Sequence, residues 1–178
     1  MVMHLKLKGV TMAEYMIEAK KLVAEYPDVL RYIKGNGLDL GSGLGKVKQS
    51  ALGIDFGENG INWVGNVTQL HWFHDNVLDY VFSSHCLEHM HNEVEVVKEW
   101  KRVVKPGGYV VIYLPDDNYF DNGPQLKQGE HKRVYDTPAM EKLLRDVGLT
   151  VVECFSHHGQ VKQYHGQHVY SVLGVGRK

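Results

Sequence analysis

The stretch LDLGSGLGK, residues 38 to 46, constrains this chain more than any other. Two leucines flank Asp39, and Gly41, Gly43 and Gly45 then follow at every second position. Without a Cβ, glycine adopts left-handed backbone at little cost and lets a ligand approach main-chain N–H groups closely. The same run allows a sharp turn out of a strand. Taken alone it reads equally well as an ordinary loop, so its neighbours must decide what it is for.

The neighbours alternate in type. Thr11 opens TMAE with the spacing of a capping box, Glu14 standing at the third helical position. Met12, Met16, Ala19, Val23 and Tyr26 then recur at helical spacing until Pro27 ends the stripe. Short apolar segments bounded by Gly, Asn and Asp follow, and these read as strands: GLDL (37–40), ALGIDF (51–56), INWVG (61–65) and LDYVFSS (78–84). A second helix is predicted from about Asn92 to Val104, burying Val94, Val97, Trp100, Val103 and Val104, with KPGG (105–108) as its stop. YVVIYLP is continuously apolar, as a central strand covered on both faces should be. Thr137 and Pro138 suit the N-cap and first turn of a third helix, and Gly148 its end. LTVVECF and HVYSVLGVG read as closing strands joined by a polar, histidine-bearing loop.

This alternation predicts an α/β, doubly wound, mostly parallel sheet that closes on an antiparallel C-terminal strand. At 178 residues the chain is expected to form one domain. Residues 1–35 would be a helical cap, 36–115 the core, and 116–178 a connection, helix and closing strands. In such sheets ligands bind at the C-terminal ends of the strands, where strand order reverses. The glycine run follows the first strand and lies at that place.

Composition removes several partners. A net charge of −1 offers no electrostatic case for nucleic acid or an anionic membrane surface. YVVIYL is far too short to span a bilayer, and the N-terminus shows neither the apolar core nor the cleavage site of a signal peptide. Cys86 and Cys154 are expected to be free and reduced, so the chain is expected in the cytoplasm.

Two familiar ligands fail on spacing. The dinucleotide fingerprint needs a third glycine where Lys46 stands, and no Gly-Lys-Ser/Thr of a P-loop occurs. The pattern that remains is acid-x-Gly-x-Gly-x-Gly followed by an acid at the end of the next strand. In this the chain resembles the class I S-adenosylmethionine-dependent methyltransferases, of a compact, Rossmann-like type. LDLGSGLGK matches that family's first motif and GIDF its second. HDNVLDYVFSSHCLEHM resembles the fourth-strand motif, and KRVVKPGGYVVIYLPD the helix and fifth strand after it.

The resemblance implies S-adenosylmethionine as cofactor and assigns roles. Gly41, Ser42, Gly43 and Gly45 would pack against its methionine part, with Asp39 fixing the loop and attracting the ammonium group. Asp55 would grip both ribose hydroxyls, since an ionised carboxylate only accepts. Phe56 would lie along the adenine. Asn66 and Val67 stand where the family usually has an acid for the adenine amino group, and Asn66 can still accept through its carbonyl oxygen. Ser84 and His85, at the end of the fourth strand, complete the set. Nine residues separate Gly45 from Asp55, whereas a parallel crossover usually takes about a dozen or more. The helix after the glycine loop is therefore expected to be lost or cut to a turn. One sheet face is left thinly covered, to be closed by the N-terminal helix or by a second copy in a homo-oligomer.

Methyl transfer from a sulfonium needs positioning above all, with a base useful for a hydroxyl or ammonium acceptor. His89 is the first candidate and His131 the second. His85, Cys86, His89 and His91 crowd together, but with no second ligand cluster at typical spacing no metal is assigned. DNA amino-methyltransferases carry Asn/Asp-Pro-Pro-aromatic where this chain has SSHCLEH, which argues against nucleic-acid bases as targets. The connection DDNYFDNGPQLKQGEHKRVYD (116–136) is polar and aromatic, as a small polar acceptor would require. The alternative is a module that binds the cofactor without turnover, or a subunit of a larger complex.

Overall fold

The computed structural model describes residues 18–43, 45–56, 63–119, 127, 129–162 and 168–178. The Thr11 capping box and residues 163–167 of the expected histidine-bearing loop lie outside the described residues. The elements, in chain order, are α1 (Glu18–Glu25), β1 (Gly37–Leu40), β2 (Leu52–Asp55), β3 (Trp63–Val64), β4 (Leu78–Ser84), α2 (Glu93–Val103), β5 (Val104–Pro115), α3 (Thr137–Asp146), β6 (Thr150–Lys162) and β7 (His168–Arg177). The strands form one sheet in the order β3-β2-β1-β4-β5-β7-β6. β1 pairs in parallel with both β2 and β4, β4 pairs in parallel with β5, and β7 runs antiparallel between β5 and β6. Strand order therefore reverses at β1, and the loops after β1 and β4 open side by side.

Central position explains central composition. Every residue of β1 is buried, Leu38 and Leu40 packing with Trp100, Val97 and Leu144 on the face covered by α2 and α3. Trp100 is completely buried and its Nε1–H donates to the Val67 carbonyl at 2.8 Å. Truncating such a residue to alanine costs about 3–5 kcal/mol. The opposite face carries Tyr80, Phe82, Val111, Tyr113 and Val175. Ala19 and Leu22 of α1, with Val29, Tyr32 and Ile33 just beyond it, close that face. The N-terminal helix thus does the covering for which a second copy was the other option.

Between Gly45 and β2 the chain passes in bends and a turn over 47–50, with no helix, as the short crossover requires. Helix α2 steadies the equally bare segment before β4. Arg102 donates to the Phe73 carbonyl at 2.9 Å and to Asp75 Oδ1 at 2.6 Å, and Glu99 accepts from Leu70 N–H at 2.8 Å.

Three local expectations are corrected. KPGG does not separate helix from strand, because β5 begins at Val104 directly after α2. Leu78 pairs with Val104 but Tyr80 with Tyr109, so Lys105 to Gly108 form a bulge. Gly107 has φ +85, and a Cβ on Gly108 would come within 2.5 Å of the Asp79 carbonyl. The cap of α3 is Asp136, one residue before Thr137, and its side chain accepts from Ala139 N–H at 2.8 Å. The first closing strand runs past its apolar core to Lys162, through residues expected in the loop, whereas the second begins at His168 as expected. Among the described residues no helix is long and apolar enough to cross a membrane.

Candidate functional site

Two acids hold the glycine loop open. Asp39, 1% exposed, accepts from Val47 N–H at 2.5 Å and so ties the end of the loop back to β1. Burial raises its carboxyl to about 7, against the lowering effect of the Val47 hydrogen bond. Asp55, at the end of β2, accepts from Gly43 N–H at 2.8 Å and from Phe56 N–H at 2.6 Å. Gly41 (φ +74) and Gly43 (φ +47) are both left-handed, which is why the run needs glycine here. A Cβ on Gly41 would lie 2.5 Å from Cys86 Sγ, so the first loop packs directly on the turn after β4.

The sequence-derived residues fall into groups. Asp39, Gly41, Ser42, Gly43, Gly45 and Asp55 come together around the loop, with the Phe56 side chain 66% exposed beside Asp55. Ser84 lies at the end of β4, and its buried hydroxyl has no hydrogen-bond partner. These features suit a cofactor: half-buried main chain at Gly41 and Gly43 where no Cβ intervenes, an acceptor at the end of β2, and an unpaired hydroxyl at the end of β4. Asn66 and Val67 fit their expected roles less well. Asn66 Oδ1 already accepts from Thr68 N–H at 2.9 Å and Thr68 Oγ1 at 2.7 Å. The Val67 side chain is buried and its carbonyl is taken by Trp100.

On the other side of the switch point the chain turns through His85, whose φ is +48, into a short 3-10 turn at Leu87–His89. The Glu88 carbonyl accepts from Lys132 N–H at 2.6 Å, which docks the connection after β5 against this turn. His89 and His131, predicted separately, thereby come together with ring centroids 4.9 Å apart. His89 Nδ1 bonds the Glu130 carbonyl at 2.8 Å; a carbonyl only accepts, so Nδ1 carries the proton and Nε2 the lone pair. Burial pushes the Glu88 carboxyl up to about 8 and the His131 imidazole down to about 4. Both are uncharged at neutral pH in consequence.

Sequence reasoning did not find the polar wall beyond His85. His85 Nε2 meets Ser171 Oγ at 3.2 Å, and its ring packs edge-on to Tyr113 at 5.7 Å. The Tyr113 hydroxyl bonds His157 Nδ1 at 2.9 Å, and His157 Nε2 lies 3.4 Å from Glu25 Oε2. Tyr113 is hidden inside an apolar strand motif. Only the β5–β7–β6 pairing, invisible in local pattern, brings His157 and Ser171 to it.

The sequence model of a family described as a methyltransferase domain matches residues 38–112. Phosphoethanolamine N-methyltransferase 2 of Caenorhabditis elegans is 32% identical over 63 residues, which are 35% of this chain and 14% of that protein. The chain therefore spans only a small part of that relative's length. A methyltransferase solved in complex with the Haloferax volcanii Trm112 methyltransferase activator superposes with TM-score 0.69 at 17% identity, over 93% of each chain. An S-adenosylmethionine-dependent methyltransferase of Thermotoga maritima superposes with TM-score 0.63 at 19% identity, over 93% of this chain and 99% of that one. At such identities the structural likeness is one of fold.

Proposed function

We propose that this chain, whose residues 38–112 match the model of a methyltransferase domain and whose fold is that of S-adenosylmethionine-dependent methyltransferases, methylates a small polar acceptor at the mouth between the β1 and β4 loops. The observation that carries this reading is the left-handed glycine loop pinned between Asp39 and Asp55 where strand order reverses. Gly41, Ser42, Gly43 and Gly45 would receive the methionine part of the cofactor. Asp39 offers its buried carboxyl beside them and Phe56 an open ring face, and Asp55 would turn its carboxylate to the ribose. Ser84 and His85 would line the methyl-donating end. Asn66 and Val67 would border the adenine more by shape than by charge. When bound, S-adenosylmethionine supplies an electrophilic sulfonium methyl group.

The acceptor side supports a polar, modest-sized partner. The Tyr113–His157 pair with Glu25 beside it, and the His85–Ser171 pair packed against Tyr113, gather hydroxyl, imidazole and carboxylate groups there. The phosphoethanolamine acted on by the nematode relative is of this chemical type. His89, with its Nε2 lone pair free of the Glu130 bond, is the first base for an acceptor proton, and uncharged His131 the second. A screen of small hydroxyl, amine and carboxyl compounds, read by release of S-adenosylhomocysteine, should find a turned-over acceptor. A blank across the three classes with cofactor bound would replace this reading by a binding module.

A further inference from the structure

The turn after β4 and the connection after β5 bring three ligand-type side chains together. One oxygen of Glu88 and one nitrogen each of His89 and His131 all lie within 4.8 Å of one another. Glu88 is only 2% exposed, and its Oε2 has no hydrogen-bond partner. His89 Nε2 faces Glu88 Oε1 at 3.8 Å, which is too long for a hydrogen bond. On the far side His85 Nδ1 lies 3.7 Å from the same oxygen, again too long. A buried carboxyl surrounded by imidazoles that do not bond it is a costly arrangement for a mere packing contact.

We propose that Glu88, His89 and His131 form a site for a divalent first-row metal ion of the zinc class. Two imidazoles and one carboxylate are a ligand set of catalytic zinc, with bonds of about 2.0–2.2 Å that set tetrahedral neighbours roughly 3.4 Å apart. Glu88 Oε1 and His89 Nε2 stand 3.8 Å apart and all three ligand atoms lie within 4.8 Å of one another, so the trio would contract around a bound ion. The orientation of His89 is already that of a ligand, because its Nδ1–H is held by the Glu130 carbonyl and its Nε2 lone pair is directed inward. The Glu88 carbonyl, accepting from Lys132 and Arg133 N–H, fixes the two segments relative to each other. Three protein ligands leave a coordination position for water or an acceptor oxygen. This inference goes beyond the methyl-transfer reading and changes it at one point: a ligated His89 cannot serve as base.

The test is a titration of metal-stripped protein with zinc by calorimetry and with cobalt by visible absorption. One equivalent should bind, and the cobalt spectrum should show tetrahedral ligand-field bands. His89→Ala, at a half-exposed position, should keep the fold by circular dichroism yet weaken binding at least about tenfold; Glu88→Gln should do the same. His91→Ala, an exposed neighbour outside the trio, should bind as the parent does. Absence of stoichiometric uptake, or full affinity in His89→Ala, would overturn the site, as would equal loss in His91→Ala. S-adenosylhomocysteine binding measured on the same samples separates the two readings. Metal uptake without it upholds the site and removes the methyltransferase reading, and the reverse result removes the site alone.

Discussion

The loop after β1 and the turn after β4 face each other across the switch point, yet they are assembled over very different lengths of chain. In the first, Val47 bonds Asp39 eight residues away and Gly43 bonds Asp55 twelve residues away. In the second, His89 bonds the Glu130 carbonyl across 41 residues, Tyr113 reaches His157 across 44, and His85 reaches Ser171 across 86. Closing short loops costs little entropy, so the first region is written locally and can recur as a motif. The second exists only once the sheet has formed. On the proposed function, the half that would handle the cofactor is the stereotyped one, and the half that would face an acceptor is free to differ.

The largest effect is expected from breaking the seam between the two regions. Gly41→Val places a branched side chain at φ +74 against Cys86. Left-handed backbone costs about 1–2 kcal/mol, and overpacking adds about 1–3 kcal/mol. Urea denaturation should therefore show a clear drop in midpoint; an unchanged midpoint would mean the loops do not pack as described. Next is Asp55→Ala, expected to weaken S-adenosylhomocysteine binding by about 1.5–3 kcal/mol, the scale of hydrogen bonds to a charged group. Equal binding by parent and variant would remove the ribose assignment.

A smaller effect follows from Asp39. Its carboxyl is raised in the folded state, so the native protein holds that proton more firmly than the unfolded chain. The stabilisation is present below the ordinary carboxylate range and is lost as pH rises through about 7. Asp39→Asn keeps an acceptor for Val47 N–H but cannot titrate. Relative to that variant, the parent without ligand should lose on the order of 1–2 kcal/mol between about pH 5 and pH 8. Parallel stability curves would contradict the desolvation of Asp39. The smallest effect sharpens the comparison from the other side: His89→Ala should change S-adenosylhomocysteine affinity by less than about 0.5 kcal/mol. A large loss would show that the two regions are not separate.

Legibility in the sequence followed the same division. GLDL and LDYVFSS coincide with β1 and β4, and the helix expected from about 92 to 104 spans Glu93–Val103, because buried central elements carry strong patterns. The turn in place of a helix after Gly45 followed from reach alone. Asp55 was placed correctly at the end of β2, but its bond to Gly43 N–H, which makes it a brace of the loop, depended on the strand pairing. His89 and His131 were singled out one by one. Their meeting, and the burial of Glu88 between them, required the docking of residues 130–133 on the 3-10 turn. No periodicity encodes such a contact. Asp136 was missed as the cap of α3 because Thr137-Pro138 is itself a good start signal.

The most direct test of the central claim, that the braced glycine loop is a cofactor site, is calorimetric titration of the parent protein with S-adenosylhomocysteine, with NADH as the contrasting ligand. Saturable one-to-one binding is expected, with a rise in melting temperature as the ligand stabilises the native state by mass action, and no binding of NADH. A flat titration at millimolar S-adenosylhomocysteine, or tight binding of NADH, would contradict it.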